Sequence, residues 1–158
     1  MKNQFWKTYG FWIGLSEAVG IVSGLLSRNG MVIFRQTATQ PALSPPPILF
    51  PIVWTVLYAL MGIGAARIYL TPPSAERSKS LNLFIIQLTV NFFWSLLFFN
   101  AKAYGFALLW LILLFLLVLW MMLAYHKIDR WASLLQVPYL LWLSFAAYLN
   151  WAVWQLNQ

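Results

Sequence analysis

Catalysis and metal binding need acids, bases, nucleophiles or soft ligands gathered in one place, and this chain supplies few of them. It has three acidic residues (Glu17, Glu76 and Asp129), a single histidine (His126) and no cysteine. Disulfides, thiolate nucleophiles and Cys-ligated metals are therefore excluded, and a metal site would have to draw single residues from distant segments. No Ser-His-Asp set, metal-spaced acid pair or glycine-rich phosphate loop is present. Aromatic residues, by contrast, are abundant: 10 Trp, 12 Phe and 7 Tyr, 18% of the chain. That exceeds what a ring at every helix end would use, so some rings are expected to face inward. The chemistry they offer is stacking on a flat apolar guest.

The elements that carry these rings are set by composition. With 62% apolar and 8% charged residues and a mean hydropathy of +0.74, the chain falls far below the roughly 25% charge of soluble domains. It reads as an all-α integral membrane protein. Apolar runs of about 20 residues, enough to cross about 30 Å of hydrocarbon, number five: about 8–26, 51–70, 81–100, 105–125 and 131–154. They make one five-helix membrane domain. Met1 to Lys7 resembles the n-region of a signal peptide, but the run after it is long and lacks a small-residue cleavage site, so it reads as a retained first helix.

The net charge of +7 does not point to nucleic acid, because Lys and Arg mark the ends of apolar runs and form no basic stripe. Anionic lipid headgroups are the expected partner. Lys2, Lys7, Arg67, Arg77, Lys79, Lys127 and Arg130 lie on one side and Arg28, Arg35 and Lys102 on the other. The positive-inside rule then puts the N-terminus in the cytoplasm and the C-terminus outside. The long extracytoplasmic connection between helices 1 and 2, Arg28 to Pro47, is stiffened by Pro45, Pro46 and Pro47 and reads as a semi-rigid cover over the bundle.

Inward faces follow from spacing. In Pro41 to Tyr58 a proline-dense loop runs into a helix bearing Trp54 and Tyr58 one turn apart. Gln87, Asn91 and Ser95 recur every fourth residue on one face of helix 3, flanked by Trp94; they serve either interhelical hydrogen bonding or a ligand. On helix 5, Pro138, Trp142, Phe145 and Leu149 share a face beside Ala146, which suits a slot for a flat guest or packing around a proline kink. Gly10, Gly14, Ala18, Gly20 and Gly24 on helix 1, and Gly62 and Ala66 on helix 2, permit close helix approach. Glu17 stands near mid-membrane; such an acid is a functional candidate, though a protonated, hydrogen-bonded role competes. His126, beside Lys127, marks the membrane surface.

Three blocks, PALSPPPILFPIVWTVLYALMG (Pro41 to Gly62), QLTVNFFWSLLFF (Gln87 to Phe99) and PYLLWLSFAAYLNWAVW (Pro138 to Trp154), together with span number and order, carry a resemblance over nearly the whole chain. It resembles the tryptophan-rich sensory protein or translocator protein family, the peripheral-type benzodiazepine receptors. The resemblance implies a cavity inside the bundle, beneath the first loop, that binds protoporphyrin IX or haem and isoquinoline-carboxamide and benzodiazepine ligands. It implies walls formed by Leu43 at the mouth, Phe50, Trp54 and Tyr58 of helix 2, Asn91 and Trp94 of helix 3, Phe106 and Leu113 of helix 4, and Trp142, Ala146 and Leu149 of helix 5. No obligatory cofactor and no metal are implied, and homodimerisation is.

Two departures qualify that expectation. Many members of the family have Trp where this loop has Leu43, which predicts weaker or altered tetrapyrrole binding. Animal members carry a cholesterol pattern near the C-terminus; here Trp151, Ala152 and Gln155 stand in that stretch with no basic residue after Arg130, which weighs against cholesterol recognition and favours a bacterial cell membrane. The leading expectation is a tetrapyrrole-binding sensor or regulator. One alternative is light- and oxygen-dependent porphyrin degradation, reported for some bacterial relatives, with Trp54 and Trp142 as participants. A porphyrin or sterol transporter is the other, though no inverted repeat supports it.

Overall fold

A computed structural model describes all 158 residues, and it is entirely helical. Helix α1 spans Lys2–Thr37, α2 Leu49–Tyr69 and α3 Ala75–Ser95, the last continuing through a π-helical turn at Leu96–Asn100. Helix α4 spans Tyr104–His126, the short α5 Arg130–Leu134 and α6 Val137–Leu156. Five of these stretches are long and apolar enough to cross a membrane: Lys2–Thr37, Leu49–Tyr69, Ala75–Asn100, Tyr104–His126 and Arg130–Leu156.

The first helix corrects the sequence-based boundary. Instead of ending near Leu26 it runs 36 residues, about 54 Å at 1.5 Å per residue. The polar triplet Arg28-Asn29-Gly30 does not stop it, because Gly30 lets the helix lie directly on the π turn: a Cβ there would strike Asn100 and the Phe99 backbone. Beyond that point Phe34 packs against the rings of Phe98, Phe99 and Tyr104. The connection expected from Arg28 to Pro47 is thus only residues 38–48. It is tied to the end of α6: the Thr39 N–H donates to Asn157 Oδ1 and Asn157 Nδ2 donates to the Thr39 carbonyl, both at 2.8 Å.

Two other boundaries move for local reasons. Helix α3 starts six residues before the expected Leu81, where Ser74 caps it by accepting the Arg77 N–H at 3.0 Å and Glu76 favours the first turn; hydropathy alone does not register a polar turn of this kind. The last span, expected to be continuous over 131–154, is broken at Leu135 and Gln136 because Pro138 sits in the first turn of α6, where its missing N–H costs nothing.

The bundle is solid at one end and hollow at the other. At the base, which contains the N-terminal half of α1, Met61, Ala65, Ile68, Phe84, Val118, Met121, Tyr125, Tyr139 and Leu143 are fully buried. There α1 and α2 meet backbone to backbone, since a Cβ on Gly62 would collide with the main chain of Trp12 and Ile13. The glycine rows of α1 are used less than expected: a Cβ on Gly10, Gly14 or Gly24 would meet nothing from another helix within 4 Å, and only one on Gly20 would meet a partner, the Tyr58 ring. At the crown a smaller cluster, Phe98, Ala107 and Val153, closes the bundle behind Phe34.

Candidate functional site

Between base and crown lies a cavity of about 470 Å³, within the range of sites that enclose small molecules. Its floor is a chain of buried polar side chains. The Tyr58 hydroxyl donates to Asn91 Oδ1 at 2.5 Å, Asn91 Nδ2 to the Tyr139 hydroxyl at 2.8 Å, and the Tyr139 hydroxyl to Gln87 Oε1 at 2.8 Å. Asn91 is 5% exposed while Gln87 and Tyr139 are fully buried; of the residues spaced by four on α3, Gln87 bonds its neighbours, whereas Asn91 bonds them and also lines the cavity.

The wall brings together most of the positions named from sequence. Phe50, Trp54, Tyr58, Asn91, Trp94, Trp142, Ala146 and Leu149 all line it. Trp94 is held by its indole N–H, which donates to Asn150 Oδ1 at 3.1 Å, while Asn150 Nδ2 donates to the Tyr104 carbonyl at 2.8 Å; its ring stacks on Phe98 at 5.0 Å. Trp54 lies 5.5 Å from the Tyr58 ring and 6.3 Å from that of Tyr139. Trp142 is held by Phe50 at 5.8 Å and Phe145 at 5.6 Å. The three indoles share the cavity, each supported by its own neighbours.

Three positions lie elsewhere. Phe106 and Leu113 are 54% and 43% exposed and stand on the outer face of α4, whose inner face contributes Leu111 and Leu114 instead. Helix α4 is apolar on every side, so its sequence carries no phase to tell inside from outside. Leu43, 66% exposed in the connecting loop, is off the wall as well; Gln40, Ser44, Pro45 and Pro47 form the loop's share.

Several lining residues were not picked out from the sequence. Met31, Phe34 and Arg35 join the wall because α1 continues past Leu26; the absence of proline before Pro41 was the available signal. Asn150 follows Ala146 by four residues, the same spacing that marked α6. Glu17 also borders the cavity, half-buried. No three His, Asp or Glu side chains converge into a metal-holding group, and the cavity wall contains no histidine.

Outside the membrane-spanning segments the main charge interaction is at the base. Arg67 Nε and Nη2 donate to the two oxygens of Asp129 at 2.7 and 3.2 Å, and the Trp131 N–H donates to Asp129 Oδ1 at 3.0 Å. Partial burial pushes this carboxyl's pKa up, but the Arg67 and Trp131 hydrogen bonds outweigh that and hold it below the ordinary aspartate value. The pair fastens the end of α2 to the turn before α5.

Comparison with known proteins agrees with this architecture. The pattern of the TspO/MBR family matches residues 12–155. The chain is 38% identical over 156 residues to the tryptophan-rich protein TspO of Chlorobaculum tepidum, covering 98% of this chain and 99% of that protein. It is 36% identical over 155 residues to the tryptophan-rich sensory protein of Cereibacter sphaeroides, covering 98% and 94%. With the translocator protein of Bos taurus it shares 36% over 121 residues, covering 75% and 72%. A match of this extent, on a bundle of five membrane-spanning stretches, shows that the chain belongs to the TspO/MBR family of multi-pass membrane proteins.

Proposed function

We propose that the protein is a membrane sensor or regulator that binds a tetrapyrrole, protoporphyrin IX or haem, in the cavity beneath the loop of residues 38–48, and that the same cavity accepts isoquinoline-carboxamide and benzodiazepine-type ligands. The observation that carries this reading is the apolar slot walled by Trp54, Trp94, Trp142 and Phe50, since a wide apolar disc gains most from indole and phenyl faces and needs few polar anchors. Ala146 leaves room between the aromatic walls. Arg35 lies toward the mouth and is the basic side chain in the wall, so the ligand's acidic edge is read as pointing outward. With no histidine to ligate iron, metal-free and iron porphyrins are held by the same stacking contacts.

The test is intrinsic tryptophan quenching by protoporphyrin IX in nanodiscs, comparing the wild type with a Trp54→Ala, Trp142→Ala double variant. Loss of two stacking partners at about 0.5–1.5 kcal/mol each predicts affinity lower by about 5- to 150-fold. Equal affinities would remove the cavity assignment.

A second reading, photo-oxidative turnover of the bound porphyrin, is favoured by one feature. Trp54 sits 5.5 Å from Tyr58 and 6.3 Å from Tyr139, ring centre to ring centre, an array able to return an electron to the porphyrin radical cation left after the excited ring has given one to dioxygen. A new absorption band that forms in light and air and disappears in Trp54→Phe supports turnover; bleaching indifferent to that change supports binding alone. Homodimerisation within the membrane belongs to the same proposal, read by crosslinking in native vesicles.

A further inference from the structure

Of the polar groups that border the cavity, several are already committed within the protein. Asn91 is bonded to Tyr58 and Tyr139, Asn150 to Trp94 and the Tyr104 carbonyl, and Ser23 donates to the Phe92 carbonyl. Arg35, Gln40, Ser44 and Ser95 make no side-chain hydrogen bond, and neither does Glu17, the one acid in the wall; the chain's ion pair is Arg67 with Asp129. The other two acids lie at the ends of the bundle, Glu76 in the first turn of α3 and Asp129 ahead of α5. The basic residue in the wall, Arg35, is 18 positions further along the same helix, about 27 Å away, too far to pair with Glu17.

The level of Glu17 in the cavity is fixed by its helix. Gly20, one turn on and on the same face, abuts the Tyr58 ring, so Glu17 stands near the Tyr58 end of the cavity, partly exposed. An unpaired carboxylate within a membrane-spanning helix is disfavoured, and a ligand that brings the opposite charge relieves it. Indole faces attract the same charge independently, through the ring quadrupole.

We propose that Glu17 gives the cavity a second specificity, for lipophilic monoamine cations whose ammonium group pairs with the Glu17 carboxylate while the apolar body packs against the wall indoles. One carboxylate selects one positive charge, and the apolar wall selects a hydrophobic body. A tetrapyrrole's carboxylates are repelled by Glu17 and drawn to Arg35, so the two ligand classes use opposite ends of one site. The amine specificity does not require a tetrapyrrole to be the usual occupant.

The experiment compares imipramine, a lipophilic tertiary amine, with iminodibenzyl, the same tricycle without the amine arm, by tryptophan quenching in nanodiscs of one lipid composition. The wild type is expected to bind imipramine at least about tenfold more tightly, and Glu17→Gln to weaken imipramine about 10- to 100-fold, the range for a hydrogen bond to a charged group. Iminodibenzyl should change less than about twofold, which shows the variant's cavity to be intact. Glu17→Asp, which keeps the charge, should keep the preference for the amine. The proposal is overturned if Glu17→Gln leaves imipramine affinity unchanged, if it weakens both probes equally, or if the wild type does not prefer the amine. Protoporphyrin IX titrated in parallel separates the readings: amine preference lost in Glu17→Gln, in a protein that binds no porphyrin, supports this proposal while removing the tetrapyrrole reading.

Discussion

Replacing Gln87 with Leu and Asn91 with Leu tests whether the floor of the cavity is held by direction as well as by number of hydrogen bonds. Both amides are buried and both sit on the same chain of polar groups. When Asn91 is lost, the Tyr139 hydroxyl still donates to Gln87, and the Tyr58 hydroxyl, which borders the cavity, can turn toward it. When Gln87 is lost, the fully buried Tyr139 hydroxyl has no acceptor left; the remaining bond of Gln87, 3.9 Å to Met61 Sδ, is weak. An orphaned buried donor costs about 1–3 kcal/mol, whereas an ordinary interhelical bond in a membrane averages about 0.6 kcal/mol. Gln87→Leu should therefore destabilise by about 1–3 kcal/mol and Asn91→Leu by about 1 kcal/mol or less. Adding Tyr139→Phe to Gln87→Leu removes the orphan, so the double variant should cost less than the sum of the singles by about 1 kcal/mol. Reversible unfolding in mixed micelles, followed by tryptophan fluorescence, gives all four values. An equal cost for the two Leu variants, or strict additivity with Tyr139→Phe, refutes the reasoning.

Glycine substitutions should divide by contact. Gly62→Ala drives a methyl into the α1 main chain and should cost about 1–3 kcal/mol, while Gly10→Ala and Gly14→Ala, with open space around them, should stay within about 0.5 kcal/mol; the same unfolding assay reads both. The depressed Asp129 carboxyl contributes stability that is present above the unfolded-state pKa of about 3.9 and is lost as pH falls through the lower folded value. The thermal midpoint of the wild type should therefore drop below about pH 4, and Asp129→Asn, which weakens the Arg67 pair at every pH, should start lower and show a shallower acid slope.

Sequence patterning locates the spans and, together with the family resemblance, most of the wall; the misses have specific causes. The indoles and amides of α2, α3 and α6 were recognisable because a polar or aromatic side chain among aliphatic ones reports which way the helix turns. The α4 helix, apolar on all sides, gives no such report; Phe106 and Leu113 are expected inside on the resemblance alone, and Leu111 and Leu114 are the inward pair. On α1 the polar triplet at Arg28 to Gly30 suggests an end, yet Gly30 fits against the π turn only once α3 is in place; a contact so distant in sequence leaves no local trace. Extending α1 exchanges an imagined long flap for a short strap and supplies Met31 and Arg35 to the wall. Glu17 was visible as an isolated acid, but its lack of a partner is a property of the folded chain.

The clasp between Thr39 and Asn157 also bears on how the protein can be handled. The strap over the cavity is moored to the second-last residue of the sequence, so a purification tag or fluorescent fusion joined after Gln158 pulls on the entrance itself. Labels placed before Met1, at the opposite end of the bundle, leave that mooring untouched.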